Sequence, residues 1–294
     1  MNYYFLPGTG IFGGIKVGYQ FTDLLNGLGA HSVVVTPDGR APDWFQSSAP
    51  TLSEDAALAR LTGRDCALFS LPHDYPKLAA LPARLVFHCQ GTDPLIDPVL
   101  ADPRITLLTC WPQAAAYVRE KAGRASLEVG ISVADAFYYR GRPKAPATVA
   151  YMPRRGAELA AACQAAQPGL QFVPIDKATE NEAAEILQRC EYFIATSVNE
   201  WFGLPALEAM AAGCVVVSVP TVGGNDYLRD DVNARIATPA NLAQVLAQLS
   251  RPDEYATRAR LRDHARVTAA RYRPSLQRKI VAGLLDTELS FLRP

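Results

Sequence analysis

Residues 199–219 read NEWFGLPALEAMAAGCVVVSV, a loop, a helix and a strand in that order. A hydrophobic strand over residues 192–196 delivers the chain to Ser197, Val198, Asn199 and Glu200. Gly203 then precedes Leu204 and Pro205, and a proline in the first turn of a helix gives up only an N–H that has no helical partner there. The N–H groups of Phe202, Gly203 and Leu204 point at whatever lies beyond the carboxyl end of the strand, where dipole and geometry favour an anion such as a phosphate. Glu200 sits just before this helix and Glu208 about one turn into it. With seven residues between them, one carboxylate reaches a ligand from the loop and the other from the helix. Gly213 ends the helix, and the apolar run 214–219 suits a strand buried on both faces.

The two glutamates enclose Phe202-Gly203-Leu204-Pro205, and Glu208 opens the segment Glu-Ala-Met-Ala-x-Gly that closes at Gly213. In this register the stretch resembles the donor-binding signature of retaining, family 4-type glycosyltransferases of the GT-B fold. The resemblance implies an α/β chain of two Rossmann-like domains with parallel sheets facing across a cleft. It also implies that Glu208 bonds the ribose hydroxyls of a nucleotide sugar while Glu200 contacts hydroxyls of the transferred sugar. Solvation at a helix end is the usual fate of glutamate. A glutamate in a strand-to-helix loop nevertheless lies where α/β proteins bind ligands.

The bulk properties agree with a globular α/β chain. Its 294 residues, 49% hydrophobic and 20% charged, suffice for one large domain or two ordinary ones. With 29 basic and 29 acidic residues, no net field recruits nucleic acid or an anionic membrane, although local basic patches stay open. The six cysteines form no C-x-x-C pair, and several lie in apolar runs where a thiol behaves as a small hydrophobe, which fits a reducing cytoplasm. No basic leader with an apolar core and no 18-residue apolar span is visible, so neither an export signal nor a membrane span is expected and any membrane contact is peripheral.

Residues 2–7 read as a first strand, followed by Gly8-Thr9-Gly10-Ile11-Phe12-Gly13-Gly14 and a helical pattern to about residue 28. Gly8, Gly10 and Gly13 satisfy G-x-G-x-x-G, and Asp38 follows the next strand, 32–36, where a dinucleotide fold places a ribose-binding acid. That pattern supports a rival reading, a nicotinamide-dependent oxidoreductase, and a purely structural tight turn is a third. The segment Gly-Gly-Ile-Lys-Val from residue 13, with the apolar pattern of 24–35, resembles instead the first βαβ unit of the same glycosyltransferases. This implies that Gly13 and Gly14 let the backbone approach a donor or acceptor. Lys16 is a candidate sugar or acceptor contact, or else a surface charge.

A loop over 37–53 and a short helix over 54–61 lead to strands over 66–71 and 85–89. The second of these ends in the polar cluster His88, Gln90, Gly91, Thr92 and Asp93, where α/β sheets present their sites. His88 is a candidate catalytic residue, and Gln90 and Asp93 are candidate sugar or acceptor contacts; an isolated histidine also serves as a satisfied structural residue. A strand over 105–110 and a helix over 113–121, closed by Gly123, complete an N-terminal, acceptor-side domain expected over residues 1–140. Residues 138–147, rich in Arg, Gly, Pro and Lys, read as an exposed hinge.

The pattern restarts with a strand over 148–152 and Pro153-Arg154-Arg155-Gly156. Two arginines past a strand end can clamp a diphosphate, because guanidinium is always charged and forks onto two oxygens. The alternative is an ordinary solvated turn, and the resemblance supports the clamp, since glycosyltransferases of this type carry Arg and a Lys or Arg in this loop. A helix over 158–166 and a strand over 170–175 come next. Thr179 and Glu182 then form a capping box for a helix with Ala183, Ile186, Leu187 and Cys190 on one face. Thr221-Val222-Gly223-Gly224-Asn225-Asp226-Tyr227 forms a second glycine loop opposite the 204–213 helix, with Asn225 or Asp226 placed to bond a sugar. Thr238 and Pro239 read as the cap of a helix over 241–249, and residues 260–271 as a basic helix with a solvated face. A donor domain is thus expected over 146–273, and a C-terminal helix, 274–294, returning to the N-terminal domain as in the family.

These readings predict a glycosyltransferase moving a sugar from a nucleotide-sugar donor to the hydroxyl of a glycan, lipid-linked or small-molecule acceptor, in surface polysaccharide or glycoconjugate synthesis. Arg154, Arg155 and the helix N-terminus would neutralise the leaving diphosphate without a metal, and the chain has no Asp-x-Asp motif. The nucleotide sugar is a substrate, and no cofactor is expected. Retention, with same-face attack and no protein nucleophile, is implied by the resemblance alone. A catalytically silent nucleotide-binding homologue is the remaining alternative. The chain is short for this family, mostly in its N-terminal half.

Overall fold

Short runs of β-branched and aromatic residues, each followed by a glycine- or proline-marked turn and a helix, assemble two parallel sheets. The structure, a computed structural model, describes residues 1–223 and 225–293. Its contacts divide into one unit of Met1–Ser132 with Ser275–Pro294 and a second of Val133–Pro274.

In the first unit the strands are β1 (Asn2–Phe5), β2 (Ser32–Thr36), β3 (Thr51–Ser53), β4 (Cys66–Phe69), β5 (Arg84–Cys89), β6 (Thr106–Thr109) and β7 (Leu127–Glu128). Between them run α1 (Gly13–Gly27), α2 (Glu54–Leu58), α3 (Tyr75–Leu78), α4 (Asp97–Ala101) and α5 (Pro112–Ala122). Pairing is parallel in the order β3-β2-β1-β4-β5-β6-β7. Strand order reverses between β1 and β4, and the loops at their carboxyl ends frame the crevice where such sheets bind ligands. β1, β2 and β4 are buried along their whole length, as strands covered by helices on both faces must be.

The second unit carries β8 (Ala145–Tyr151), β9 (Gln171–Pro174), β10 (Cys190–Ala195), β11 (Val215–Ser218) and β12 (Arg235–Ile236), parallel in the order β12-β11-β10-β8-β9. Its helices are α6 (Ala157–Ala166), α7 (Glu180–Arg189), α8 (Leu204–Ala211), α9 (Leu242–Ser250) and α10 (Tyr255–Ala269). The reversal point lies between β8 and β10, so the Arg154-Arg155 loop and the Glu200 loop are neighbours at the carboxyl edge. The expected capping box of α7 is present, Thr179 Oγ1 accepting from Glu182 N and the Glu182 carboxylate from Thr179 N. Gly213, at φ 76°, closes α8. Its N–H bonds Met210 O at 3.1 Å and that of Cys214 bonds Ala209 O at 2.9 Å, the paired bonds of a Schellman end.

α11 (Pro274–Leu285) ends the chain with a short 3-10 turn, Ser290–Leu292. Val281, Leu285, Leu289 and Leu292 share one core with Tyr4, Phe21, Val34, Leu68 and Leu108 of the first unit. Asn2 Nδ2 donates to Leu292 O at 2.8 Å, and Arg278 donates to Gly27 O at 2.6 Å.

Three local expectations change. The hinge expected over 138–147 is anchored at both ends and exposed only over 140–143 and at Pro146. Tyr138 donates to Ala269 O at 2.9 Å, Gln188 Nε2 donates to Phe137 O and Tyr138 O, and Lys144 Nζ donates to Leu187 O and Ala212 O, closing the carboxyl ends of α7 and α8. Composition registered the charges but not that two tyrosines and a lysine stem had apolar surface to cover. α9 starts one residue later than read, flanked by Asn241, and Thr238 keeps its capping contact: Thr238 Oγ1 accepts from Asn241 N at 3.3 Å while the Asn241 carboxamide oxygen accepts from Thr238 N at 2.7 Å. The basic helix over 260–271 is only partly a solvated face: Arg262, a quarter exposed, has Nη2 3.9 Å from Glu191 Oε1.

Candidate functional site

In the second unit, β8 delivers Arg154 and Arg155 to a turn that ends at Gly156 and opens α6. Gly156 holds φ 84°, and a Cβ on it would lie 2.5 Å from Thr196 O and 2.6 Å from Thr196 Oγ1. The side-chain-free position therefore lets the arginine turn lie against the end of β10. Thr196 Oγ1 donates to Arg155 O at 3.2 Å, and Arg155 Nη1 donates to Asn199 O at 2.8 Å and stands 3.5 Å from Glu200 Oε1. Burial, and after it the like charge of Arg155, holds the Arg154 guanidinium below its ordinary pKa, with Glu200 pulling the other way. Two guanidiniums and one carboxylate thus share one strand-end surface, and their net positive charge suits an anionic ligand.

Next comes the turn before α8. Gly203 holds φ 75°, and no side chain caps the helix that starts at Leu204 beside the strand-end surface. Phe202 is buried, its ring 5.2 Å from Tyr227 and 5.8 Å from Tyr272; what it offers a ligand is backbone, while its ring serves the core. Leu204 starts the helix proper. Glu208 is only 7% exposed, and Glu200 keeps a quarter of its side-chain surface. Both carboxylates act on the Tyr227 phenol, whose pKa is raised well above its ordinary value first by burial and then by Tyr272, Glu200 and Glu208. The two glutamates therefore both lie within electrostatic reach of that phenol.

The loop beyond β11 closes the arrangement. A Cβ on Gly223 would fall 2.3 Å from Trp201 O, and Gly223 N donates to Glu200 O at 3.0 Å. Val222 N donates to Val198 O at 3.1 Å. Asn225 Cβ lies 3.9 Å from the point where a Gly203 side chain would begin. Gly224, expected in the same glycine loop, lies outside the described residues. Arg154, Arg155, Glu200, the 202–204 backbone, Glu208 and Asn225 are thus brought together within one unit. Gly156 was missed as a positioning residue; its signal was its place right after two arginines at a strand end.

The first unit disperses its expected site. His88 is wholly buried on β5, with Nδ1 2.9 Å from Tyr4 Oη, Nε2 3.1 Å from Cys110 Sγ and its ring 4.7 Å from Phe21. Burial drives its pKa down to about 3, so it is a neutral core residue. The catalytic role expected for His88 is corrected on this ground: the strand places it inside the sheet's covering layer, two residues short of the loop. Gln90 does reach the loop region; its Nε2 donates to Tyr4 Oη at 3.1 Å, and its Oε1 lies 2.9 Å from where a Gly14 Cβ would stand. Gly13 and Gly14 form the exposed start of α1. Lys16 is 5% exposed on the inner side of α1, not a surface charge. Asp93 caps the turn Pro94–Ile96 by accepting from Leu95 N at 2.8 Å. Asp38 is ion-paired with Arg40 at 2.7 Å.

All six cysteines are free and buried. Among the described residues, no group of three or more His, Cys, Asp or Glu side chains is placed to hold a metal ion, and no helix is long and apolar enough to cross a membrane.

Residues 147–251, all within the second unit, match the family described as glycosyl transferases group 1. No curated protein sequence matches the chain. Among solved structures, sucrose-phosphate synthase from Thermosynechococcus elongatus superposes with a TM-score of 0.74 at 13% identity, over 98% of this chain and 99% of that one. Anabaena HepE, in complex with UDP and glucose, gives 0.73 at 11% identity over 97% and 99%. TarM gives 0.60 at 13% identity over 79% of this chain and 55% of its own, so this chain spans a little over half the length of that protein. Likeness at such identities shows the fold, and the fold is GT-B.

Proposed function

We propose that this chain, whose second unit is a group 1 glycosyl transferase domain, moves a sugar from a nucleotide-sugar donor to an acceptor hydroxyl. The observation that carries the reading is the tie of Arg155 to Asn199 O and Glu200 beside the uncapped start of α8. It brings cationic side chains, backbone N–H groups and two carboxylates to one strand-end surface.

In this reading Glu208 accepts hydrogen bonds from the ribose hydroxyls and Glu200 from hydroxyls of the sugar. As the bond from the anomeric carbon to the diphosphate lengthens, negative charge gathers on the leaving phosphate, where Arg154, Arg155 and the N–H groups of residues 202–204 oppose it. The acceptor hydroxyl attacks from the face the diphosphate leaves, giving retention, and its proton passes to the departing phosphate oxygen. No protein nucleophile and no metal are required. Asn225 adds a sugar contact. Residues 146–273 serve as the donor domain and residues 1–140 as the acceptor domain, with Gln90 and Gly14 as the acceptor contacts that the first unit leaves at its loop region. The buried free thiols support a reducing compartment such as the cytoplasm.

The rival oxidoreductase rests on the order of the first sheet and on Gly8, Gly10 and Gly13, features that the GT-B fold shares, while the family match lies elsewhere. A catalytically silent nucleotide-binding homologue is favoured by one observation, the burial of His88.

A panel of UDP-, GDP- and ADP-sugars and NAD tests the proposal. One nucleoside diphosphate should raise the melting temperature, and its sugar should be hydrolysed slowly in the presence of EDTA. Stabilisation by NAD alone would overturn the proposal, and binding without turnover of any sugar would leave the silent homologue.

A further inference from the structure

Each helix of the second unit that follows a loop at the sheet edge begins with a backbone hydrogen bond, and α8 begins differently from its neighbours. In α6, α7 and α9 the capping carbonyl accepts from the N–H four residues on: Gly156 from Ala160 at 3.1 Å, Thr179 from Ala183 at 2.9 Å and Asn241 from Val245 at 2.9 Å. At α8 the Gly203 carbonyl accepts instead from Ala206, three residues on, at 3.0 Å, and from the Tyr227 hydroxyl at 2.6 Å. The Gly203 carbonyl is therefore shared between the first turn of the helix and a side-chain hydroxyl that reaches it from the loop beyond β11.

The bond from Tyr227 to Gly203 is held from both sides. Gly203 supplies the space, since a Cβ there would lie 3.2 Å from the phenol oxygen. The Tyr227 ring is buried against Phe202 at 5.2 Å and Tyr272 at 6.1 Å. Its carbonyl accepts from Asn233 Nδ2 at 2.8 Å, and Asn233, itself 2% exposed, also bonds Arg229 N and Thr268 Oγ1. Glu208 is the residue after Leu207, and Glu200 lies three residues before Gly203. The turn thus stands between the two carboxylates in the chain. Burial, and after it Tyr272 and the carboxylates, keeps the phenol protonated, so it stays a donor to the Gly203 carbonyl.

We propose that Tyr227 is a positioning residue of the donor site, its hydroxyl fixing the Gly203 carbonyl so that the N–H groups of residues 202–204 and Glu208 meet the nucleoside diphosphate in one geometry. The inference rests on the reading of the second unit as a nucleotide-sugar site. Tyr227→Phe is the test, because it keeps the ring and leaves the Gly203 carbonyl its bond from Ala206 N. Tyr272→Phe is the control, taking a hydroxyl from the same aromatic cluster but none from the turn.

Affinities for UDP, GDP and ADP are measured by calorimetry, together with urea midpoints and, for the matching nucleotide sugar, KM and kcat of slow hydrolysis. Tyr227→Phe should weaken binding of the nucleotide that wild type takes by about tenfold. KM should rise in step while the urea midpoint stays at the wild-type value, and Tyr272→Phe should bind as wild type does. Unchanged affinity in Tyr227→Phe overturns the positioning role while leaving the donor site standing. A large fall in its urea midpoint also overturns it, by making the hydroxyl a structural strut. Failure of wild type to bind any of the three nucleotides removes the underlying reading itself.

Discussion

Replacing Gly156 by alanine tests whether the arginine turn owes its place to one missing side chain. The native φ of 84° is left-handed, which costs an L-residue about 1 to 2 kcal/mol. The new Cβ would also stand 2.5 Å from Thr196 O and 2.6 Å from Thr196 Oγ1. The first of these atoms is backbone at the end of a buried strand, so relief requires moving the turn or the Glu200 loop, at about 1 to 3 kcal/mol for overpacking. Together Gly156→Ala should lose about 2 to 5 kcal/mol, which at a slope of about 1 to 3 kcal/mol per molar is a fall of about 1 M or more in the second unit's urea midpoint. Nucleotide affinity should fall as well, since Arg155 and Asn199 separate. Gly14→Ala is the comparison: its Cβ would meet only Gln90 Oε1, at 2.9 Å, the far end of a flexible side chain, and its cost should stay under about 1 kcal/mol. A Gly156→Ala protein with an unmoved midpoint and wild-type nucleotide affinity would refute the reasoning.

The other predictions concern single side chains. Glu208→Ala should weaken nucleoside diphosphate binding by about 1.5 to 3 kcal/mol, and calorimetry showing no loss would remove the ribose assignment. Glu200→Gln should slow sugar transfer by roughly a hundredfold while leaving most of the nucleotide affinity, because contacts with the sugar strengthen as charge builds at its anomeric carbon; transfer at the wild-type rate would end that division of labour. His88 sets an acid limit. Its folded pKa of about 3 lies below an unfolded value of about 6.5, so its contribution is full above the unfolded value and is lost as pH falls toward the folded one, at about 1.4 kcal/mol per pH unit. Urea midpoints between pH 7 and pH 4 should show a shallower slope in His88→Asn than in wild type, and equal slopes would contradict the burial argument.

Most of the strand and helix frame was legible because it is local. Residues 32–36 form β2 as read, the Thr179 and Glu182 cap is in place, and Gly213 stops α8 where an achiral residue was needed. His88 shows where locality ends. A histidine on a strand near its carboxyl end looks the same whether it faces solvent or the core, and only the packing of Tyr4, Phe21 and Cys110 around it decides. The hinge failed for the same reason, since Tyr138 finds its acceptor at Ala269, 131 residues away along the chain.

The candidate site divides along this line too. Its charged residues stand in recognisable order, but the groups that bring three loops together are glycines and a tyrosine whose partners are remote. Gly156 makes room for Thr196, Gly223 for Trp201, and Gly203 for Tyr227. A glycine in a sequence announces a special conformation or a close approach without saying to what. Here two of the approaches are to the one loop between β10 and α8 and the third joins that loop to the one beyond β11, so the three positions act as one constraint. Crowding at Gly156 or Gly223 presses on the backbone of the loop that carries Glu200, from opposite sides of the sequence. The positions of Arg155 and Glu200 follow from that enforced contact rather than from their mutual attraction, since a half-exposed ion pair at 3.5 Å contributes no more than about 1 kcal/mol.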